Sequence, residues 1–553
     1  MTNPRLTTGI ASLPASEQWL LKLFLGMALV ALTLGVAYGV ATAFARAGLA
    51  TVAAPGGQRL LTLHGVTIFF YWLYFVQAAL LLILTAVYTE GAGAIAGRGY
   101  AWLGFALMVG GFVCNQYAAT GALPLLYDAP PELAQQGTLE AKAFYLGYLL
   151  LALGLFAVAG AAVATAFKPR FRGVLRAWSV ISFAAVAWAG LLMVSAIAAL
   201  NVFIPAAWWA FGGNAAIENH ASTWHVLFHN MHYLPLMAVV LVWYALIEAM
   251  TGVKSIFGAR FSKIVFALYL LLVPPTSLYH MFLEPNLAEP VRIAGSLLSL
   301  FISVPTVLAF LLIVVSLETH ARARGSTGLF GWLRQLPWRN PAMAAVGMAA
   351  WNLAIGGALA FVLIQERLAP LLSDTFFVPG YFHFLTVGTV TLTFLAALMY
   401  AIPALTGHPL WRPRWLAAAS YLVTVGLLVF GGGGVVAGYS GVPRRVFDIA
   451  YGGAAPNAWP LLMAIVGCGA ALMAAGLLLQ ALGLSITLIA PRKQSVPADL
   501  PACQWGDVEP DRGAAWTGPL AIAVLVVGMM ILTAVSFELL QRLPLVAGAS
   551  SPH

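Results

Sequence analysis

Charged side chains are scarce in this chain: Asp, Glu, Lys and Arg make up 8% of its 553 residues, against about 25% in soluble domains. With 61% hydrophobic residues and a mean hydropathy of +0.91, that scarcity excludes an ordinary soluble domain and indicates a polytopic membrane protein. Cysteine is almost missing too. Cys114, Cys468 and Cys503 are scattered and odd in number, so no disulfide framework is expected. No CxxC or CxxCH occurs, which argues against a thiolate metal site and against covalent heme attachment. The polar stretch Met1 to Gln18 lacks an apolar core followed by a small-residue cleavage site, so no removable signal peptide is expected. There is no short-period repeat and no separate soluble domain. Gly431-Gly-Gly-Gly434 is not followed by Lys-Ser/Thr, so it reads as close helix packing and not as a phosphate loop.

What the chain does have is apolar runs of spanning length. They lie at about 20–44, 61–88, 99–122, 141–167, 175–201, 222–252, 262–284, 293–317, 341–367, 376–404, 415–438, 457–490 and 516–540, which predicts an all-α bundle of thirteen transmembrane helices. The whole chain, 1–553, reads as one membrane domain, with 491–515 a loop before the last helix. Of the 27 Lys and Arg, 19 fall at the N-terminus and after even-numbered helices, and 8 fall on the opposite face. The positive-inside rule then puts the N-terminus and the 491–515 loop in the cytoplasm and the C-terminus outside, in a prokaryotic-type inner membrane. The formal charge of +9 is thus a topology signal in a lipid-embedded protein, with no nucleic-acid footprint.

Against this apolar background, six of ten histidines lie inside spanning segments: His64, His225, His229, His232, His280 and His383. Ionisable groups in hydrocarbon cost roughly 2.5–3.5 kcal/mol for the charged types and mark function by default. Imidazole is also the commonest ligand for transition metals. In helix 6, His225, His229 and His232 fall within an arc of roughly 60°, with Tyr233 beside it and one turn after His229. A lone histidine on such a face more often hydrogen-bonds a neighbouring helix; three together favour a metal or cofactor pocket. His64 and His383 lie near the starts of helices 2 and 10, at one depth on the outer side. Two opposed imidazoles there make the simplest cage for a six-coordinate heme. Gly65 and Gly380 beside them offer room for a macrocycle. His280, near the end of helix 7, falls on the same side.

Together these residues resemble the catalytic subunit I of the heme-copper oxidase superfamily. Gly328-Leu-Phe-Gly-Trp-Leu-Arg-Gln-Leu-Pro-Trp-Arg-Asn-Pro341 and Gly441-Val-Pro-Arg-Arg445 look like the B-type enzymes. The resemblance implies a low-spin heme, taken as heme b, on His64 and His383, and a second heme. It implies copper on His229, with Tyr233 covalently linked to it, and on a His-His pair in helix 7. It further implies that Arg444 and Arg445 hold heme propionates, as paired guanidiniums suit carboxylates. Electrons would enter from cytochrome c by way of a copper-bearing subunit II, and a small gas, dioxygen by family default, would be reduced.

Two positions depart from that pattern. Tyr279-His280 stands where the family has His-His, and Pro379-Gly380-Tyr381-Phe382-His383 where it has Pro-Gly-His-x-His. One copper ligand and the proximal ligand of the oxygen-binding heme are therefore replaced. Three readings stay open. Tyr381 ligates heme iron as a phenolate; Tyr279 with His229 and His280 makes a mixed site suited to non-heme iron, or His225 or His232 replaces the lost ligand; or the second site is empty. The functions left open are an oxidase, a nitric-oxide-reductase-like enzyme, and a non-catalytic heme b electron-transfer subunit with an empty second site; a phenolate on iron would lower its potential, which suits oxygen reduction poorly. The expected proton route along helices 6 and 8 keeps Tyr244 and Thr306, but Val307 to Val314 offers no hydroxyl before Ser316. Glu248 and Glu318 read as interfacial carboxylates, and Glu538 as a contact with a partner subunit.

Overall fold

The computed structural model describes residues 5–121, 126, 128–217, 220–274, 289–363, 368–447, 449, 453–490, 500–503 and 505–510, without the side chains of 221, 222, 225, 226 and 289–301. Tyr279, His280, the side chain of His225, the expected helix 516–540 and Glu538 lie outside that set.

Twelve long helices are described: α1 (Ala15–Arg46), α2 (Ala54–Tyr88), α3 (Arg98–Thr120), α4 (Leu139–Phe171), α5 (Val180–Ala210), α6 (His220–Thr251), α7 (Gly258–Leu272), α8 (Glu289–Ala323), α9 (Pro341–Leu363), α10 (Phe377–Thr406), α11 (Pro413–Tyr439) and α12 (Ala458–Ile489). Ten of them are long and apolar enough to cross a membrane; α3 and α7 are the exceptions. The all-helical expectation holds. Among the described residues the one strand-like pairing is an isolated bridge between Thr375 and Pro443.

Helix ends follow local chemistry. Thr138 Oγ1 accepts from Ala141 N–H at the start of α4, and Ser179 Oγ accepts from Ser182 N–H at the start of α5. Gly407, at φ 74°, closes α10 in the left-handed region that glycine tolerates. Two boundaries differ most: α5 runs Val180–Ala210 instead of about 175–201, and α2 starts at Ala54 instead of about 61. Pro55 sits in its first turn, where the missing N–H costs nothing. His64 is consequently well inside the helix and not near its start.

Glycines bring helices together in the way small residues do in membranes. A Cβ on Gly104 would meet Gly154 O at 2.8 Å, and one on Gly111 would meet Gly147 O at 2.6 Å, so α3 and α4 pack backbone to backbone. Gly426 and Gly469 do the same for α11 and α12. In the Gly431–Gly434 run, a Cβ on Gly434 would meet Gly380 Cα at 3.0 Å, as the close-packing reading expects. A Cβ on Gly380 would meet Val435 N at 2.8 Å and Gly434 C at 2.9 Å. Its smallness therefore serves the α10–α11 crossing, and the expectation that it clears space for a macrocycle is corrected.

Two helices occupy the centre. Burial reaches 94% of the spanning window in α2 and 89% in α10, against 50% in α11 and α12. Both central helices also widen into π-helical turns, Val66–Trp72 in α2 and Phe384–Thr391 in α10. Each begins within two residues of His64 or His383. Such turns are rare and concentrate at functional sites. Trp72 Nε1 donates to Thr391 Oγ1 at 3.0 Å, tying the far ends of the two π segments together. Trp243 of α6 donates to Thr393 Oγ1 at 2.8 Å, which pins α10 from its other side.

Candidate functional site

His64 and His383 face each other across the bundle centre. Their ring centroids are 6.2 Å apart and their planes differ by 9°. An imidazole nitrogen sits about 2.0–2.1 Å from a metal it ligates and about 1.1 Å from its own ring centre, so two trans imidazoles on one metal place their centroids roughly 6.2 Å apart. The observed spacing would let the two rings share a metal.

Both rings are also held in the ligating tautomer. His64 Nδ1–H donates to Gly35 O at 2.8 Å, and His383 Nδ1–H donates to Pro379 O at 2.7 Å. A carbonyl only accepts, so the proton is on Nδ1 and the lone pair on Nε2 is free for a metal. On the α1 side, Gly39 has no room for a side chain: a Cβ there would meet His64 Nδ1 and Cε1 at 2.7 Å. On the α11 side, the Phe430 ring packs against His383 with centroids 4.5 Å apart.

Around the pair lies a cavity of about 230 Å³ lined chiefly by α1, α2, α10 and α12. One water needs only ~10–15 Å³. Gly65, Ile68, Phe69, Phe382 and Met473 are among its apolar walls, and Arg46, Arg444 and Arg445 line it as well. These donors and this shape fit a heme: two axial nitrogens, flat apolar walls and guanidinium forks for the propionates. Arg444 Nη2 bonds Asp374 Oδ1 at 2.9 Å, and Arg445 Nη2 bonds Asp128 Oδ2 at 2.7 Å. Arg46 is a member of the site that the sequence does not single out. It closes α1, is buried, lies over the Phe376 ring at 4.8 Å and donates to the carbonyls of Pro443 and Arg444. The signal that could have found it is an arginine in the last turn of a membrane helix ending on the same face.

The helix-6 face lies next to this cavity. His229 is buried, with the His232 ring 6.0 Å away. His232 is enclosed by Phe69, Phe228 and Phe382 at centroid distances of 4.8, 4.0 and 4.8 Å. All three phenylalanines also line the His64–His383 cavity. Tyr233 of α6 and Tyr381 of α10 are electrostatic neighbours, and Tyr381 also feels Arg444. Among the described residues no three His, Cys, Asp or Glu come together as a metal site. The other expected members, Tyr279 and His280, fall outside that set, as does the His225 side chain.

The profile of the family described as Cytochrome C and Quinol oxidase polypeptide I matches residues 20–472. The chain belongs to that family. Among its curated members, cytochrome c oxidase subunit 1 of Thermus thermophilus is 32% identical over 275 residues, 49% of each chain. A cytochrome c oxidase polypeptide 1 of Halobacterium salinarum is 30% identical over 114 residues, 21% of this chain and 19% of that one. The matched part thus spans about half the length of the Thermus relative, and less of the other. A solved heme-copper terminal oxidase, a dimer seen by cryo-EM, superposes at a TM-score of 0.77. That match covers 93% of this chain and 92% of the other at 19% identity, which shows a shared fold. Membership in this family implies heme and copper as the family's cofactors and, with ten helices long and apolar enough to cross a bilayer, a multi-pass membrane setting.

Toward the basic face, Tyr269 of α7 hydrogen-bonds Thr306 of α8 at 2.7 Å, and Tyr244 of α6 bonds Ser262 of α7 at 3.4 Å. Tyr244 opens onto a cavity of about 340 Å³ shared with Glu248, Lys254 and Ser316. Helix α7 therefore supplies hydroxyls that a reading limited to helices 6 and 8 passes over.

Proposed function

We propose that the chain is a respiratory redox subunit that takes electrons at a low-spin heme b held by His64 and His383 and passes them to a neighbouring site that reduces a small gas. The observation that carries this reading is the pair of near-parallel imidazoles 6.2 Å apart, each with Nδ1 committed to a carbonyl. Heme bound there supplies one-electron chemistry at iron. The residues do the rest. His64 and His383 would hold the heme between them, and with both imidazoles so used the site would be closed to gas and suited to electron passage. Phe69, Phe382 and Phe430 keep water from the cavity, and Arg46, Arg444 and Arg445 offer donors to carboxylates at its rim.

His229, Tyr233 and Tyr381 form the second site in this reading, and Phe69, Phe228, Phe382 and His232 fill the space between it and the first. Dioxygen is the substrate by family default, with cytochrome c and a copper-bearing subunit II as upstream partners. The N-terminus is cytoplasmic and the C-terminus outside. A second reading is supported by Tyr381, which packs between Phe377 and Phe382 at the position where the resemblance implies an imidazole. As a hard anionic donor, a phenolate lowers the potential of ferric iron, which suits a nitric-oxide-reductase-like site or an electron relay with no gas chemistry better than it suits oxygen reduction.

Pyridine hemochrome absorbance with copper and iron analysis on the purified protein tests both. Two hemes plus a third metal are expected for the enzyme. One heme and no further metal overturns the enzymatic reading and leaves the relay.

A further inference from the structure

A second cavity, of about 330 Å³, lies between α6, α8, α9 and the short helix Gly331–Arg334, on the bundle face where Lys and Arg concentrate. Its walls are almost wholly apolar and rich in aromatic rings: Trp243, Phe310, Phe330, Trp332, Trp338 and Trp351. One side opens outward, since Phe330 and Trp351 are 53% and 52% exposed, while Trp243 and Trp332 lie deep at 1% and 5%. Trp338 Nε1 is satisfied by Leu333 O at 2.7 Å. Trp332 Nε1 is not: it is buried and has no hydrogen-bond partner among the described residues. An indole N–H can only donate, so this position calls for an acceptor oxygen that none of the described residues supplies. Exposed Arg334 and Arg339 flank the same two tryptophans in sequence.

From these observations we infer that the cavity binds one acyl chain of an anionic phospholipid of the adjoining leaflet, with Trp332 Nε1 donating to an ester or phosphate oxygen and Arg334 and Arg339 attracting the phosphate. The amphipathic segment 330–338 lies across the cavity as a tryptophan-rich interfacial cover, the usual place for such side chains. The competing occupant is the chain's own segment 516–540. The described chain reaches residue 510 beside α6, where Cys503 N–H bonds Met250 O and Trp505 N–H bonds Thr251 O. Its hydroxyl acceptors are confined to Thr517, Thr533 and Ser536, however, and its sequence carries no anionic group to meet two arginines on the basic face beyond Glu538 near its far end. A lipid headgroup meets both demands.

The test uses the full chain in nanodiscs of phosphatidylcholine with or without phosphatidylglycerol, followed by native mass spectrometry. Wild type should retain one phosphatidylglycerol that the cavity-filling variant Ala354→Phe lacks. Arg334→Ala with Arg339→Ala should erase a preference over phosphatidylcholine of roughly tenfold to thirtyfold, at ~1 kcal/mol per basic residue. Trp332→Phe should weaken retention for both lipids. Helical content by circular dichroism and unchanged elution volume verify that each variant folds. Equal lipid retention by wild type and Ala354→Phe overturns the proposal. So does a photocrosslinker at Ala350 that captures peptide 516–540 and not lipid, which would assign the cavity to that helix.

Discussion

The His64–His383 pair and the His229–Tyr233 face share one bundle and a common set of phenylalanines, yet their donors are held very differently. At the first, each imidazole has its Nδ1 proton tied to a backbone carbonyl, a ring or a glycine against its side, and a π-helical turn immediately after it. Every degree of freedom that would misplace the Nε2 lone pair is taken up by backbone, which substitution elsewhere cannot easily disturb. At the second, His232 is surrounded by hydrocarbon rings, and in the proposed reading Tyr279 and Tyr381 stand where the resemblance implies histidine. A site that passes electrons tolerates no slack in its ligands. A site that binds a small molecule changes its chemistry with a single donor, and the proposed reading puts Tyr279 and Tyr381 at just such positions.

The largest expected effect comes from His64→Ala or His383→Ala. Either leaves one axial position empty, and the six-coordinate visible spectrum should vanish, with heme content by pyridine hemochrome falling by about one per protein. Retention of that spectrum in both variants would mean that the 6.2 Å pair is not the heme site. Next in size is Gly39→Ala. Its Cβ would meet the His64 ring at 2.7 Å, so the imidazole must tilt or α1 must shift. Overpacking of this kind costs typically 1–3 kcal/mol. The low-spin electron paramagnetic resonance signal should move as the ring planes lose their alignment, while heme content stays near wild type. An unchanged signal would show that the α1 contact is slack.

Both variants bear on why this region is legible in the amino-acid sequence. A histidine at one end of each of two apolar segments is visible because hydrocarbon makes ionisable groups rare, so His64 and His383 stand out. Their carbonyl partners, Gly35 and Pro379, carry no such mark, because a backbone acceptor is the same at every residue. Arg46 is hidden for a related reason: one arginine at a helix end reads first as a topology signal. The π-helical turns leave no periodicity that a run of apolar residues would reveal. Thr306 stands out as a hydroxyl in an apolar helix, but its partner Tyr269 lies on a third helix, and which helix faces which is a property of packing and not of spacing.

The second region gives the sharpest test of the contrast. Tyr381→Phe removes the phenolic oxygen and keeps the ring. If the phenolate is a metal donor, gas turnover should fall roughly tenfold or more, about 1.4 kcal/mol or more in barrier, with the low-spin spectrum intact. Tyr381→His should instead yield a heme that binds carbon monoxide. If neither substitution alters heme content, metal content or carbon monoxide binding, the tyrosine only fills space, and the two regions differ as occupied and vacant.

The smallest effect is expected at the brace between the two ligand helices. Trp72→Phe deletes the donor that reaches Thr391 at 3.0 Å but keeps most of the buried aromatic volume. Interhelical hydrogen bonds of this type contribute about 0.6 kcal/mol on average in membranes, and a hydroxyl left behind can find another carbonyl on its own helix. Stability should therefore drop by less than about 1 kcal/mol, read as a small shift in thermal or denaturant midpoint. The informative comparison is with Trp243→Phe, whose bond to Thr393 at 2.8 Å pins α10 from the α6 side. If π-turn bracing is what keeps the imidazoles parallel, Trp72→Phe should broaden the low-spin resonance signal while Trp243→Phe, at a similar cost in stability, leaves it sharp. Equal broadening by both would mean that α10 is positioned by its general packing, and that the bond between the π-turns has no special part in aligning the ligands.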